Sequence, residues 1–192
     1  MCNLYAGITP NTILYNTALS ALAKAGQVVK AQTLFSLIEC PDSVTYETMI
    51  ACYGLAGMPR EAESMLKEMI ENGFKPRDYA LCGLVAGWSM FGSVNKALNV
   101  ANRAKELGVK PSVHLYNALI ACCDRFQKYE KAVALLEEMR AQNIQGNVIT
   151  HNLAISVCTE GLRSVENQQA AFTAISAAVV AAGTAMIRAG IF

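Results

Sequence analysis

The sequence predicts an all-α chain, an α-solenoid of stacked antiparallel helical hairpins. Three observations carry this. The first is a period of thirty-five residues, seen at Ser43 to Arg77, Asp78 to Ser112 and Val113 to Asn147. A fixed spacing of that size marks helical repeats that bury their apolar faces against their neighbours. The second is apolar residues at helical spacing: Tyr46, Met49, Ile50 and Tyr53, then Ala62, Met65, Leu66 and Met69. The third is the punctuation. Gly57 breaks the first run, Pro59 sits where a helix can restart, and Asn72-Gly73 with Pro76 closes the second.

Taken in order, residues 1–11 read as the end of a preceding repeat. Ala6-Gly7-Ile8-Thr9-Pro10-Asn11 matches Asn72-Gly73-Phe74-Lys75-Pro76-Arg77 position for position. The chain is thus expected to be a fragment of a longer array, or numbered from an internal point. Either explains why no targeting peptide is visible. Residues 12–42 form a short first repeat that turns over through Cys40-Pro41-Asp42. Its apolar faces are Tyr15, Leu19, Leu22, Ala31, Phe35 and Ile38. Repeats two to four span 43–77, 78–112 and 113–147. Gly26, Gly57 and Gly92 are equivalent breaks between helices, and Ala31, Ala62, Ala97 and Ala132 fall at one equivalent place. A small residue there lets paired helices approach closely.

Residues 148–192 read as a degenerate fifth repeat whose second helix is elongated. From Asn167 to Ile187 there is no charged residue and no leucine. As a helix this run would span about 32 Å, which is bilayer length. Alanine adds little to membrane insertion, so a spanning role is set aside. Ala174, Ala178 and Ala182 instead make a small-residue ridge suited to docking another protein.

Composition narrows the function. Hydrophobic residues make up 53% of the chain, and neither disorder nor low complexity is indicated. A formal net charge of +1 gives no overall basic signature, although a basic face can hide in a neutral total. The seven cysteines are odd in number and none has zinc-ligand spacing; they read as buried thiols in a reducing compartment. No nucleophile with its base, no HExxH and no phosphate-binding glycine loop is found. His151 stands where Tyr46 and Tyr116 stand and reads as packing, as does Trp88. The expectation is a binding protein that is not an enzyme and carries no cofactor or metal.

The segments YNTALSALAKAGQVVKAQTLF, VTYETMIACYGLAGMPREAESMLKEM, NGFKP, LGVKP and YNALIACC resemble the pentatricopeptide repeat family over roughly residues 1–160. The resemblance implies a right-handed superhelix that binds RNA, one hairpin to one base. It also implies a base-reading set, the fifth and last residues of each repeat. These are Asn16 with Asp42, Glu47 with Arg77, Cys82 with Ser112, and Asn117 with Asn147, then Asn152 alone. Asn16 with Asp42 is the family's uracil pair, and Asn117 with Asn147 is associated with pyrimidines, cytosine in particular. Glu47 with Arg77 fits no familiar pairing and suggests an ion pair; Cys82 with Ser112 is also off-pattern. Second residues that would sandwich the base are Ile13, Val44, Tyr79, His114 and Ile149. Lys24 and Arg125 fall where a phosphate contact is common, while Leu55, Met90 and Glu160 hold that place elsewhere.

Two functions follow as expectations. One is an organellar RNA-binding adaptor of a mitochondrion or chloroplast, acting in RNA metabolism or translation on single-stranded or ribosomal RNA. The other is a structural subunit of a large organellar assembly such as a mitochondrial ribosome, acting mainly as a protein scaffold.

Overall fold

The structure is a computed structural model that describes residues 12–163, with side chains to residue 159. The expectations for residues 1–11, and for the Ala174, Ala178 and Ala182 ridge, lie outside the described residues. Among the described residues there are nine α-helices and no strand. They are α1 (Thr12–Lys24), α2 (Val28–Phe35), α3 (Ser43–Leu55), α4 (Pro59–Glu71), α5 (Asp78–Met90), α6 (Val94–Glu106), α7 (Val113–Arg125), α8 (Tyr129–Ala141) and α9 (Val148–Arg163).

The helices pair as hairpins, and the hairpins stack. Each odd-numbered helix packs against the odd-numbered helix that follows it, and also against its own hairpin partner. The even-numbered helices lie mainly on the odd-numbered ones. Two layers result, and the sequence of each layer follows from its surroundings. In α3 every residue from Thr45 to Gly54 is buried, because α1, α4 and α5 press on it from several sides. In α4 only Pro59, Ala62, Met65, Leu66 and Met69 are buried, the single stripe of a helix packed on one face. Ala31, Ala62, Ala97 and Ala132 are all wholly buried at the equivalent place in the second helices. The short first repeat is explained by α2, which has 8 residues where α4, α6 and α8 have 13 each.

The turns within hairpins close in one way. Gly57 has φ +69°, and the N–H of Met58 reaches back to the carbonyl of Tyr53 at 2.9 Å. This is a helix end in which a left-handed residue lets the chain return over the last turn. In the fourth hairpin Gln127 occupies that place at φ 55°.

The second and third hairpins meet backbone to backbone. Where α3 crosses α5, a Cβ built on Gly54 would lie 2.0 Å from the Gly83 carbonyl oxygen, and one on Gly83 would lie 2.9 Å from the Cα of Ala51. Only glycine permits this backbone-to-backbone contact. It draws the second and third hairpins together.

Candidate nucleic-acid interface

The five second-place residues, Ile13, Val44, Tyr79, His114 and Ile149, are all exposed. They recur once per hairpin near the start of each odd-numbered helix. A row of exposed apolar and aromatic side chains at the structural period is the surface a stack of flat rings would cover. Ile13, Val44 and Tyr79 border a concave groove of about 760 Å³. Asn16, Asp42, Glu47 and Arg77 lie in the same groove, with Lys24 at its edge.

Four junctions between consecutive hairpins set the floor of this face, and they are built in two ways. At the first, Asn16 Nδ2 donates to Asp42 Oδ1 at 3.1 Å. Asp42 also caps α3, its Oδ1 accepting the N–H of Thr45 at 2.8 Å, while its own N–H donates to the Thr45 hydroxyl. That hydroxyl donates to Asn16 Oδ1 at 2.7 Å. Burial alone would raise the Asp42 carboxyl, but the bonds from Thr45 and Asn16 prevail and hold it below the usual range. The fourth junction repeats the arrangement. Asn117 Nδ2 donates to Asn147 Oδ1 at 3.1 Å, and the Thr150 hydroxyl donates to Asn117 Oδ1 at 2.7 Å. Asn147 Oδ1 also accepts the N–H of Thr150.

The second and third junctions are closed on themselves. The Glu47 carboxylate is 1% exposed and accepts three donors of Arg77: the backbone N–H at 2.9 Å, Nε at 3.0 Å, and Nη2. This side-chain bonding to Glu47 raises the guanidinium further above its ordinary value. At the third junction Cys82 and Ser112 meet through Asp78. Its carboxylate accepts the N–H and hydroxyl of Ser112, and the Cys82 thiol points to it at 3.7 Å. Burial, with Asp78 alongside, pushes the Cys82 thiol up to about 12, so it stays protonated and unreactive at neutral pH.

The remaining expected residues are placed plainly. Asn152 is exposed on α9. Lys24 and Arg125 are exposed at the ends of α1 and α7. At the equivalent ends of α3 and α5 stand Leu55 and Met90, also exposed. Trp88 is core, its Nε1 donating to Glu63. No group of three or more His, Cys, Asp or Glu able to hold a metal occurs among the described residues, and none of their helices is long and apolar enough to cross a membrane. Thr45, Thr150 and Asp78 were not singled out from the sequence. The signal for the two threonines was available, since Asp42-x-x-Thr45 and Asn147-x-x-Thr150 carry capping spacing.

The fold and this face together define a helical-repeat protein that presents one set of polar residues and one exposed apolar or aromatic side chain per hairpin. The PPR repeat model matches residues 13–40 and 44–74, and the pentatricopeptide repeat domain model matches 91–126 and 99–161. The chain belongs to the pentatricopeptide repeat family. Among similar proteins, a chloroplastic pentatricopeptide repeat-containing protein of Arabidopsis thaliana is 32% identical over 85 residues, covering 43% of this chain and 10% of the relative. A mitochondrial one from the same plant is 28% identical over 98 residues, covering 51% of this chain and 13% of the relative. The matched stretch is thus a small part of those relatives' own length. Among solved structures, the pentatricopeptide repeat protein PPR10 in complex with an 18-nt psaJ RNA element superposes with a TM-score of 0.74 at 27% identity. That match covers 98% of this chain and 30% of PPR10.

Proposed function

We propose that this chain binds single-stranded RNA as an adaptor in a mitochondrion or chloroplast, and that it acts by binding, without catalysis. The observation that carries the reading is the matched pair of junctions at the first and fourth hairpins, set beside a periodic row of exposed stacking residues. Their chemistry differs in a useful way. At the first, Asn16 retains a second amide N–H and Asp42 retains carboxylate lone pairs. A donor beside an acceptor suits uracil, which offers a carbonyl next to an N–H. At the fourth, the oxygens of both asparagines are engaged, leaving their amide groups as donors. Asn117 is only 6% exposed, so Asn147 supplies the accessible part. Donors without an acceptor suit the N3 and O2 of cytosine. PPR10, the similar solved protein, is itself bound to RNA. The plant relatives named mitochondrial and chloroplastic support the organelle.

Titration of the chain with labelled oligouridylate, oligocytidylate and oligoadenylate, and with a duplex of matched length, tests this. Pyrimidine single strands should bind tightest. Equal affinity for all four, or none, would count against it.

A scaffold subunit of an organellar assembly such as a mitochondrial ribosome is the second reading. It is favoured by Leu55, Met90 and Phe91, apolar and more than half exposed near the ends of α3 and α5. Docking through the Ala174, Ala178 and Ala182 ridge would belong to that role. Co-sedimentation of the chain with ribosomal particles, against a free soluble pool, separates the two.

A further inference from the structure

The two junctions with an asparagine at the fifth place share a third member, and the other two junctions lack it. Thr45 and Thr150 each hold the third place in the helix after the junction, where the second and third junctions have Ala80 and Leu115. Each hydroxyl lies 2.7 Å from the amide oxygen of the preceding hairpin's asparagine, Asn16 or Asn117. Neither hydroxyl belongs to a residue that can touch a ligand in the groove. Thr45 is 0% exposed and Thr150 is 4% exposed.

We propose that Thr45 and Thr150 are positioning residues that set base selectivity through Asn16 and Asn117; this rests on the RNA-binding reading above. A hydroxyl has one proton to give. The Thr45 hydroxyl lies 2.7 Å from Asn16 Oδ1 and 2.8 Å from Asp42 Oδ1, but Asp42 Oδ1 also accepts from Asn16 and from the Thr45 N–H, whereas Asn16 Oδ1 has the hydroxyl as its donor. The asparagine oxygen therefore depends on that proton more than Asp42 does, and at the fourth junction the Thr150 hydroxyl lies nearer to Asn117 Oδ1, at 2.7 Å, than to Asn147 Oδ1, at 3.1 Å. At the first junction the proton holds the amide oxygen inward and turns the N–H₂ edge toward Asp42 and the groove. Without it the amide keeps one bond, to Asp42, and can swing about its side-chain torsions, so the donor offered to a base is no longer fixed in direction. The Asp42 N–H loses its acceptor at the same time. At the fourth junction the Asn147 N–H likewise donates to Thr150, at 3.1 Å.

The test uses the full chain with T45V, which keeps the shape and removes the hydroxyl, and T45S, which keeps the hydroxyl. Affinities for oligouridylate and oligoadenylate are measured for all three, with thermal melting alongside. The uridylate-to-adenylate ratio should fall about fivefold or more in T45V, the size expected for losing one buried hydrogen-bond partner, and should return in T45S. A T45V ratio equal to that of the unaltered chain, whatever its melting temperature, would show Thr45 to be only a helix cap. If T45V does not fold by circular dichroism, T150V and T150S with oligocytidylate make the same comparison, and an unchanged ratio there overturns the proposal equally. An unaltered chain with no preference among the oligonucleotides overturns the RNA reading itself. Preference in the unaltered chain with no change in the variants overturns the positioning role alone.

Discussion

Arg77 engages the carboxylate of Glu47 with its backbone N–H and its guanidinium, all bonded to one nearly inaccessible acid. The two side chains contribute unequally, since the arginine is 65% exposed and the acid 1%. R77A leaves the acid with its backbone donor and admits water above it. The cost should be roughly 1–3 kcal/mol, below that of stripping a fully buried pair. R77A with E47Q removes the stranded charge and should recover part of the loss. Urea denaturation of the three chains checks this; R77A as stable as the unaltered chain would show the pair to be a surface ornament.

Gly54 packs directly on the backbone of Gly83 where α3 crosses α5. A methyl group there meets the Gly83 carbonyl oxygen at 2.0 Å, a backbone atom that cannot step aside alone. G54A must push the two helices apart along their length, so it should cost about 3 kcal/mol or more. The change should appear as a lower denaturation midpoint with helix content retained.

Gln127 adopts φ 55° where Gly26, Gly57 and Gly92 occupy the equivalent turns. An L-residue is strained by roughly 1–2 kcal/mol in that region, and glycine is not. Glycine's extra freedom in the unfolded chain offsets part of the gain. Q127G should therefore stabilise the chain by about 0.5–1 kcal/mol, read as a rise in melting temperature.

The helical hairpins and the equivalent alanines were legible because they rest on local signals. Gly57 and Pro59 punctuate, and Ala62 repeats at a fixed place. The Glu47–Arg77 ion pair was also legible, since opposite charges held the two places that a shared period brings together. The Thr45 and Thr150 hydroxyls were not, because a threonine at a helix start reads as an ordinary capping residue until its second bond is seen. Asp78 was missed for a related reason. It belongs to the start of its own helix by sequence, yet it serves Ser112, thirty-four residues later, across the stacking interface. The Gly54–Gly83 contact depends on how two helices cross, which no period within either helix specifies.

Asp42 makes the first junction sensitive to acid. Burial works against its ionised form, but the bonds from Thr45 and Asn16 lower its pKa below the usual carboxylate value of about 4. The unfolded chain then binds more protons than the folded one as pH falls, so the junction's contribution is present above about pH 4. It is lost as pH drops through the folded value. D42N should flatten that part of the stability profile, read by thermal melting from pH 6 to pH 2. It should also make the first junction resemble Asn117 with Asn147, and shift preference from oligouridylate toward oligocytidylate at neutral pH. Retained uridylate preference in D42N would mean that the carboxylate is not what the base meets.

Leu55 and Met90 stand at the helix ends where the first and fourth hairpins carry Lys24 and Arg125. They are 55% and 54% exposed, so a cation can replace either without being buried. This series of helix ends thus carries charge at its first and fourth places and apolar side chains at the two between. If a single strand runs along it, L55K and M90K supply the missing phosphate contacts without touching any base-reading residue. Each contact displaces condensed counterions from the strand. The slope of log affinity against log salt should steepen by roughly 0.7 per substitution. Binding to oligouridylate, oligocytidylate and oligoadenylate should tighten by the same factor, since a phosphate carries no sequence information. K24A should act in the opposite sense, with a shallower slope and weaker binding to every sequence alike. Filter binding across a salt series on the unaltered chain, L55K, M90K and K24A gives all the slopes. Slopes that do not move in L55K and M90K would place the strand away from these helix ends. The apolar stretch would then be left to the assembly-scaffold reading, in which Leu55 and Met90 meet protein.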